Sequence, residues 1–109
     1  MDKQVYREVS ERADGKCEYC GVETDVLQLH HILRRVPAET PDNCVMLCLT
    51  CHDELHRGEN SRKMDLTLKL KLQAEYFKQG HTESEVRQLM GGKIYLDQYV
   101  YTCKKLDGR

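Results

Sequence analysis

The chain predicts an α+β fold: a small strand–loop–strand–helix core held by metal, with a helix before it and helices after it. Three observations carry this. Two Cys-x2-Cys pairs, Cys17/Cys20 and Cys48/Cys51, bracket a stretch of β character around Leu29–Ile32. Gly and Pro punctuation separates short periodic segments. With 109 residues, 39% hydrophobic content, no Trp and one Phe, the core is thin, and so small a domain gains from a structural metal.

Taken in order, residues 2–13 read as a helix with Val5, Val9 and Ala13 on one side and Gly15 as its stop. Cys17–Cys20 makes a knuckle closed by Gly21. Val26, Leu27, Leu29 and Ile32 suit a strand carrying His30 and His31. Residues 37–42, with two prolines, form an irregular connection rather than a helix. Asn43–Leu47 is the return strand. Thr50 and Asp53 mark a capping-box-like helix start, and Gly58 its end. Further on, Asp65 is placed to cap a helix running to Gln79. The alternation Leu66, Leu68, Leu70, Leu72 argues for a strand instead, but Leu, Lys, Gln, Ala and Glu dominate, which favours helix. Thr82 and Glu85 open another capped helix that Gly91-Gly92 ends. Residues 93–103 suit strand or helix. The expected organisation is one domain over 1–109, with a core at about 13–58 and a helical extension at about 62–109.

Net charge is −1, yet its distribution is uneven: residues 1–25 sum to −3 and residues 65–109 to +2. No acid occurs from Val26 to Val36, and Arg34 and Arg35 directly follow the two histidines. Such a basic spot beside a metal site suits a phosphodiester, although a tight, salt-sensitive DNA binder would be more basic throughout. Met1–Arg12 is charged rather than apolar, and no apolar run reaches membrane-spanning length. The expectation is a soluble, cytoplasmic, reducing setting, in which paired Cys-x2-Cys motifs favour zinc over disulfides.

Two knuckles offer four thiolates, which fill a tetrahedral zinc and leave no open position. Cys17, Cys20, Cys48 and Cys51 are therefore read as a structural Zn2+ clamp, with Cys44 and Cys103 left as ordinary thiols. His52 and His56, four apart on a helix, project from one face and can share an ion. His30 and His31 are neighbours on a strand and so point to opposite faces. One of them can join the helix pair while the other faces a neighbouring space. His81 is read as solvated.

The run Cys17-x2-Cys20, His30-His31-Ile32, Asn43, Leu47-Cys48-x2-Cys51-His52-x3-His56 resembles the HNH endonuclease family, of the His-Me finger type with a ββα-metal core. The resemblance covers roughly residues 13–58. It implies that His30, His52 and His56 hold a catalytic divalent ion (Mg2+, Mn2+, Zn2+ or Ni2+). It also implies that His31 is the general base, that Asn43 positions the hairpin and that base, and that the four cysteines hold zinc. Neutral imidazole is suited to taking a proton from water near pH 7. The implied activity is a metal-dependent DNA endonuclease or nickase, duplex DNA being the natural substrate, leaving 5′-phosphate and 3′-hydroxyl ends. Arg34, Arg35 or Arg57 would contact phosphate. A homodimer or a larger phage, mobile-element or restriction assembly would fit such a protein. The alternatives are a non-catalytic zinc module that recognises nucleic acid or protein. In the second half, residues 76–101 can be drawn as a helix-turn-helix reader, but packing against the metal core is the simpler expectation.

Overall fold

A computed structural model describes residues 3–34 and 40–95. Its elements are α1 (Lys3–Ala13), β1 (Leu27–His31), a 3₁₀ turn (Pro41–Asn43), β2 (Cys44–Cys48), α2 (Leu49–Arg57), α3 (Ser61–Lys78) and α4 (Glu83–Leu89). β1 and β2 pair antiparallel in the register Leu27↔Cys48, Leu29↔Met46, His30↔Val45 and His31↔Cys44. No described helix is long and apolar enough to cross a membrane.

Because side chains alternate across the ribbon, each face has its own core. Cys44 and Met46 pack with Val5, Val9 and Ala13 of α1, and Leu27 and Leu29 cover the edge. Val45 and Leu47 belong to the larger cluster, with Leu55 of α2, Met64, Leu68, Leu72 and Tyr76 of α3, and Val86 and Met90. β2 is thus buried along its whole length, as the central layer of a small three-layer stack should be.

The junction between α1, the first knuckle and the hairpin is polar and well satisfied. Glu18 accepts from Arg12 Nη2 at 2.8 Å and from the Met46 N–H at 2.9 Å. Arg12 also donates to the carbonyls of Pro41 (3.0 Å) and Cys44 (2.7 Å). One guanidinium therefore ties three chain segments together with its forked donors. Gly21, at φ +83°, turns the knuckle back so that its N–H reaches the Cys17 carbonyl at 2.9 Å.

Three expectations shift. α2 begins at Leu49, capped by Cys48, whose Sγ accepts the Cys51 N–H; the Thr50/Asp53 box is not the start. α3 begins at Ser61, and Asp65 lies inside it, paired with Lys69 at 2.8 Å rather than capping. Pro41–Asn43 makes a single 3₁₀ turn within the segment expected to be irregular, with proline at its start, where the missing N–H costs nothing. The helical reading of the leucine alternation holds: Leu68 and Leu72 are buried on one face with Met64 and Tyr76. The capping box at Thr82/Glu85 is formed as expected.

Candidate active site

The two knuckles converge. The Sγ atoms of Cys17, Cys20, Cys48 and Cys51 all lie within 4.8 Å of one another, and Cys20 and Cys48 are 3.8 Å apart. A tetrahedral zinc with Zn–S bonds of about 2.3 Å needs ligand sulfurs about 3.8 Å apart, so the donor set fits that ion. Main-chain N–H groups at each knuckle point at sulfur: Tyr19 and Cys20 toward Cys17 at 3.4 and 3.5 Å, and Cys51 toward Cys48 at 3.4 Å. Burial opposes ionisation of Cys17, but hydrogen bonds from the Cys20, Cys48 and Tyr19 backbones outweigh it and bring the thiol down to about 6. Thiolate is the form zinc binds.

A second cluster is built on the hairpin and α2. His30 from β1 and His52 and His56 from α2 bring one imidazole nitrogen each within 4.8 Å of the others. The Nε2 atoms of His52 and His56 are 3.2 Å apart, and the His30 ring centroid lies 6.3 and 5.7 Å from theirs. His30 Nε2 is buried and has no hydrogen-bond partner among the described residues. A buried nitrogen left so costs free energy unless something fills its lone pair. Burial, and then the neighbouring His56 and His52, push the His30 imidazole down to about 4, and burial and His56 lower His52 as well. Neutral imidazoles with converging nitrogens are what a divalent cation binds.

His30 and His56 of this cluster line a cleft of about 540 Å³, while His52 lines a neighbouring hollow. His31 ends β1. Alternation puts it on the α1 face, yet it also lines this cleft beside His30 and His56. The two neighbouring histidines are thus separated, one in the histidine cluster and one beside it, and both line a single cleft.

Asn43 is 2% exposed and holds the chain just after His31. Its Oδ1 accepts the Leu33 N–H at 2.8 Å, its Nδ2 donates to the Leu33 carbonyl at 2.9 Å, and its own carbonyl accepts the Ile32 N–H at 2.8 Å. These three bonds fix where β1 ends. Arg34 lines the cleft. Arg57 does not: it pairs with Asp53 at 2.6 Å and lines a separate hollow that shares His56 with the cleft. Arg35 lies outside the described residues.

Reading the sequence missed the opposite wall. Arg62, Asp65 and Lys69 of α3 line the cleft, with Tyr95 beyond them. Their spacing of three and seven on one helix was the available sign. His81 stacks edge-on against Tyr76 at 6.0 Å, 3.7 Å from Glu85, and is not one of the cluster's ligands.

Residues 17–58 match the model of the family described as HNH endonuclease. The chain is also similar to the type IV methyl-directed restriction enzyme EcoKMcrA of Escherichia coli (strain K12), 34% identical over 73 residues. That alignment spans 58% of this chain and 26% of the relative. The matched segment contains both ligand clusters, the hairpin and α2. The hairpin, α2 and the zinc-type cluster of four cysteines in residues 17–58 are consistent with the ββα-metal fold of the HNH endonuclease family that this segment matches.

Proposed function

We propose that this chain is a metal-dependent DNA endonuclease or nickase in which His31 is the general base. The observation that carries this reading is the buried His30 Nε2, without a partner among the described residues, converging with His52 and His56 beside a cleft that His30, His31 and His56 line. In this reading residues 1–109 are one domain, and the part from residue 62 onward completes the cleft rather than reading sequence by itself.

The steps follow from the residues. His31 takes a proton from a water aligned with the scissile phosphorus. That water's oxygen forms a new P–O bond as the bond from phosphorus to the 3′ oxygen breaks, leaving a 5′-phosphate. The departing 3′ oxygen ends as a hydroxyl, its proton coming from solvent. His30, His52 and His56 would hold a divalent ion, which when bound neutralises charge on the phosphate and on the leaving oxygen. Asn43 keeps His31 in place through its bonds to Leu33 and Ile32. Arg34 contributes a cation to the same cleft and is placed to hold a nonbridging oxygen. Of the other two arginines, Arg57 is engaged with Asp53 and is the weaker candidate.

Duplex DNA is the proposed substrate, by the family match and by the printed description of the relative as a methyl-directed restriction enzyme. The four-cysteine site is proposed to be filled by zinc as a permanent staple. Supercoiled plasmid with Mg2+ or Mn2+, compared between wild type and His31→Ala, tests the reading. Nicking that depends on His31 and leaves 5′-phosphate ends supports it. Equal nicking by both proteins, or none by either, replaces it with a non-catalytic zinc module.

A further inference from the structure

The cleft has a second wall that the chemistry above leaves unused. α3 presents Arg62, Asp65 and Lys69 along it, and Tyr95 extends it from the segment after α4. Gln73 is one of two buried polar side chains among the described residues, and both ends of its amide are committed to Tyr95. The Tyr95 N–H donates to Gln73 Oε1 at 2.7 Å, and Gln73 Nε2 donates to the Tyr95 carbonyl at 2.9 Å. A side-chain amide gripping both polar groups of one residue fixes that residue much as a neighbouring strand would. The position of the Tyr95 backbone is therefore set from α3.

Two ammonium groups gather on that ring: Lys93 Nζ is 4.8 Å and Lys69 Nζ 5.4 Å from its centroid. Both distances are within cation–π range. Lys69 is shared with Asp65, while no ion pair is formed by Lys93, Arg62 or Arg34 among the described residues. Four cations thus face one carboxylate in and beside this cleft, in a chain whose net charge is −1. Asp65 answers only Lys69, which leaves a surplus of positive charge, carried by Lys93, Arg62 and Arg34, for an incoming anion. A wall used only for packing would have no need of it. A phosphodiester strand, with charges repeating along its length, is the anion class that suits a row of such groups.

We infer that Lys69, Lys93 and Arg62, organised on Tyr95, form a subsite that holds the phosphates flanking the scissile one, with Gln73 as the residue that positions it; this assignment rests on the nuclease reading of the cleft. The subsite binds strand backbone and reads no base. It supplies locally the positive charge that the chain as a whole lacks.

The test uses the full chain and a fluorescent duplex of about 30 base pairs, titrated across salt concentrations, with steady-state plasmid nicking alongside. Removing two phosphate contacts in Lys69→Ala/Lys93→Ala lowers the slope of log affinity against log salt by about two. It also weakens binding at physiological salt about tenfold or more, with the loss falling on KM rather than kcat. Lys69→Arg/Lys93→Arg restores the slope. Gln73→Leu and Tyr95→Leu lower affinity while retaining both lysines. An unchanged slope and KM in a lysine variant that melts like wild type overturns the subsite. His31→Ala keeps the two ideas apart. If it nicks like wild type while the lysine variants lose their salt slope, catalysis is misassigned and the subsite stands. If it is silent while the lysine variants bind normally, the subsite is wrong and the nuclease reading stands.

Discussion

The cysteine cluster and the histidine cluster are built from the same hairpin and the same helix, yet they are opposite in design. Cys48 ends β2 and caps α2, and Cys51 is in the first turn of that helix; His52 directly follows Cys51 and His56 comes one turn later. Three of the four cysteines are buried, their backbones donate to sulfur, and nothing in the set is left to bind a further group. The histidine set includes a buried nitrogen without a partner among the described residues and faces a cleft. One donor set is closed and one is open. A closed set can only hold the fold, whereas an open one leaves room for a substrate oxygen, so on the proposed nuclease reading the same few turns of chain divide structure from chemistry by ligand type and by access.

The largest expected effect breaks the closed site. Structural zinc contributes on the order of 10–16 kcal/mol in small zinc domains, more than the whole stability of a chain this size. Cys48→Ser removes a ligand and the α2 cap together, and should abolish the cooperative melt seen by circular dichroism. His52→Ala should leave that melt within a few degrees of wild type while nicking is lost. The same contrast should appear on mild chelation: zinc by elemental analysis should stay at one per chain, while activity should disappear and return with Mg2+ or Mn2+. Unfolding of both variants alike would mean that the histidine cluster is a second staple, and the contrast between the sites would be gone.

Next in size is the change at His31. A positioned general base is worth roughly 10²–10⁴ in rate, and His31→Ala should lose that much in single-turnover nicking. Metal content should be unchanged, since His31 is outside the histidine cluster. A drop in metal content parallel to the drop in rate would instead make His31 a ligand. Asn43→Ala comes third. It strands the buried N–H and carbonyl of Leu33, at about 1–3 kcal/mol for each unsatisfied group. Stability and nicking should therefore fall together, in contrast to His31→Ala, where the loss of rate should far exceed any change in stability.

How much of this was readable from the chain divides along the same line. Both clusters were legible because their ligands come in local pairs, Cys-x2-Cys and His-x3-His, whose spacing carries its own geometry. The helix boundaries were less so. Cys48 caps α2 with a thiol, which propensity does not expect, and Asn60 precedes α3 with no side-chain cap at all. Asp65 looked like a cap because it precedes a leucine-rich run, but its carboxylate is taken by Lys69 one turn later. The Tyr95–Gln73 clamp joins residues 22 apart and depends on how α3 and the segment after α4 pack, which no local pattern encodes. Tyr99, Tyr101 and Cys103 lie outside the described residues.

The smallest effect sharpens the comparison by calibrating it. α4 is opened by a capping box in which Thr82 Oγ1 accepts the Glu85 N–H at 3.2 Å and Glu85 Oε1 accepts the Thr82 N–H at 2.8 Å. None of these groups is a ligand of either cluster. Thr82→Ala should cost about 1 kcal/mol, a typical cap loss. That backbone hydrogen bond from Thr82 holds the Glu85 carboxyl below its usual range, the Thr82 hydroxyl bond and His81 adding to it. A carboxyl lowered by folding favours the native state fully above its unfolded pKa, and that benefit is lost as pH falls through the folded value. The melting difference between wild type and Glu85→Gln should therefore be steady near neutrality and shrink in acid, below about pH 4.3. Nicking near neutral pH and room temperature should be the same in wild type and Thr82→Ala, because a loss this small leaves the native state dominant. If Thr82→Ala lost activity as His52→Ala does, the fall in the histidine variant would report lost stability rather than lost chemistry, and the two clusters would no longer differ in kind.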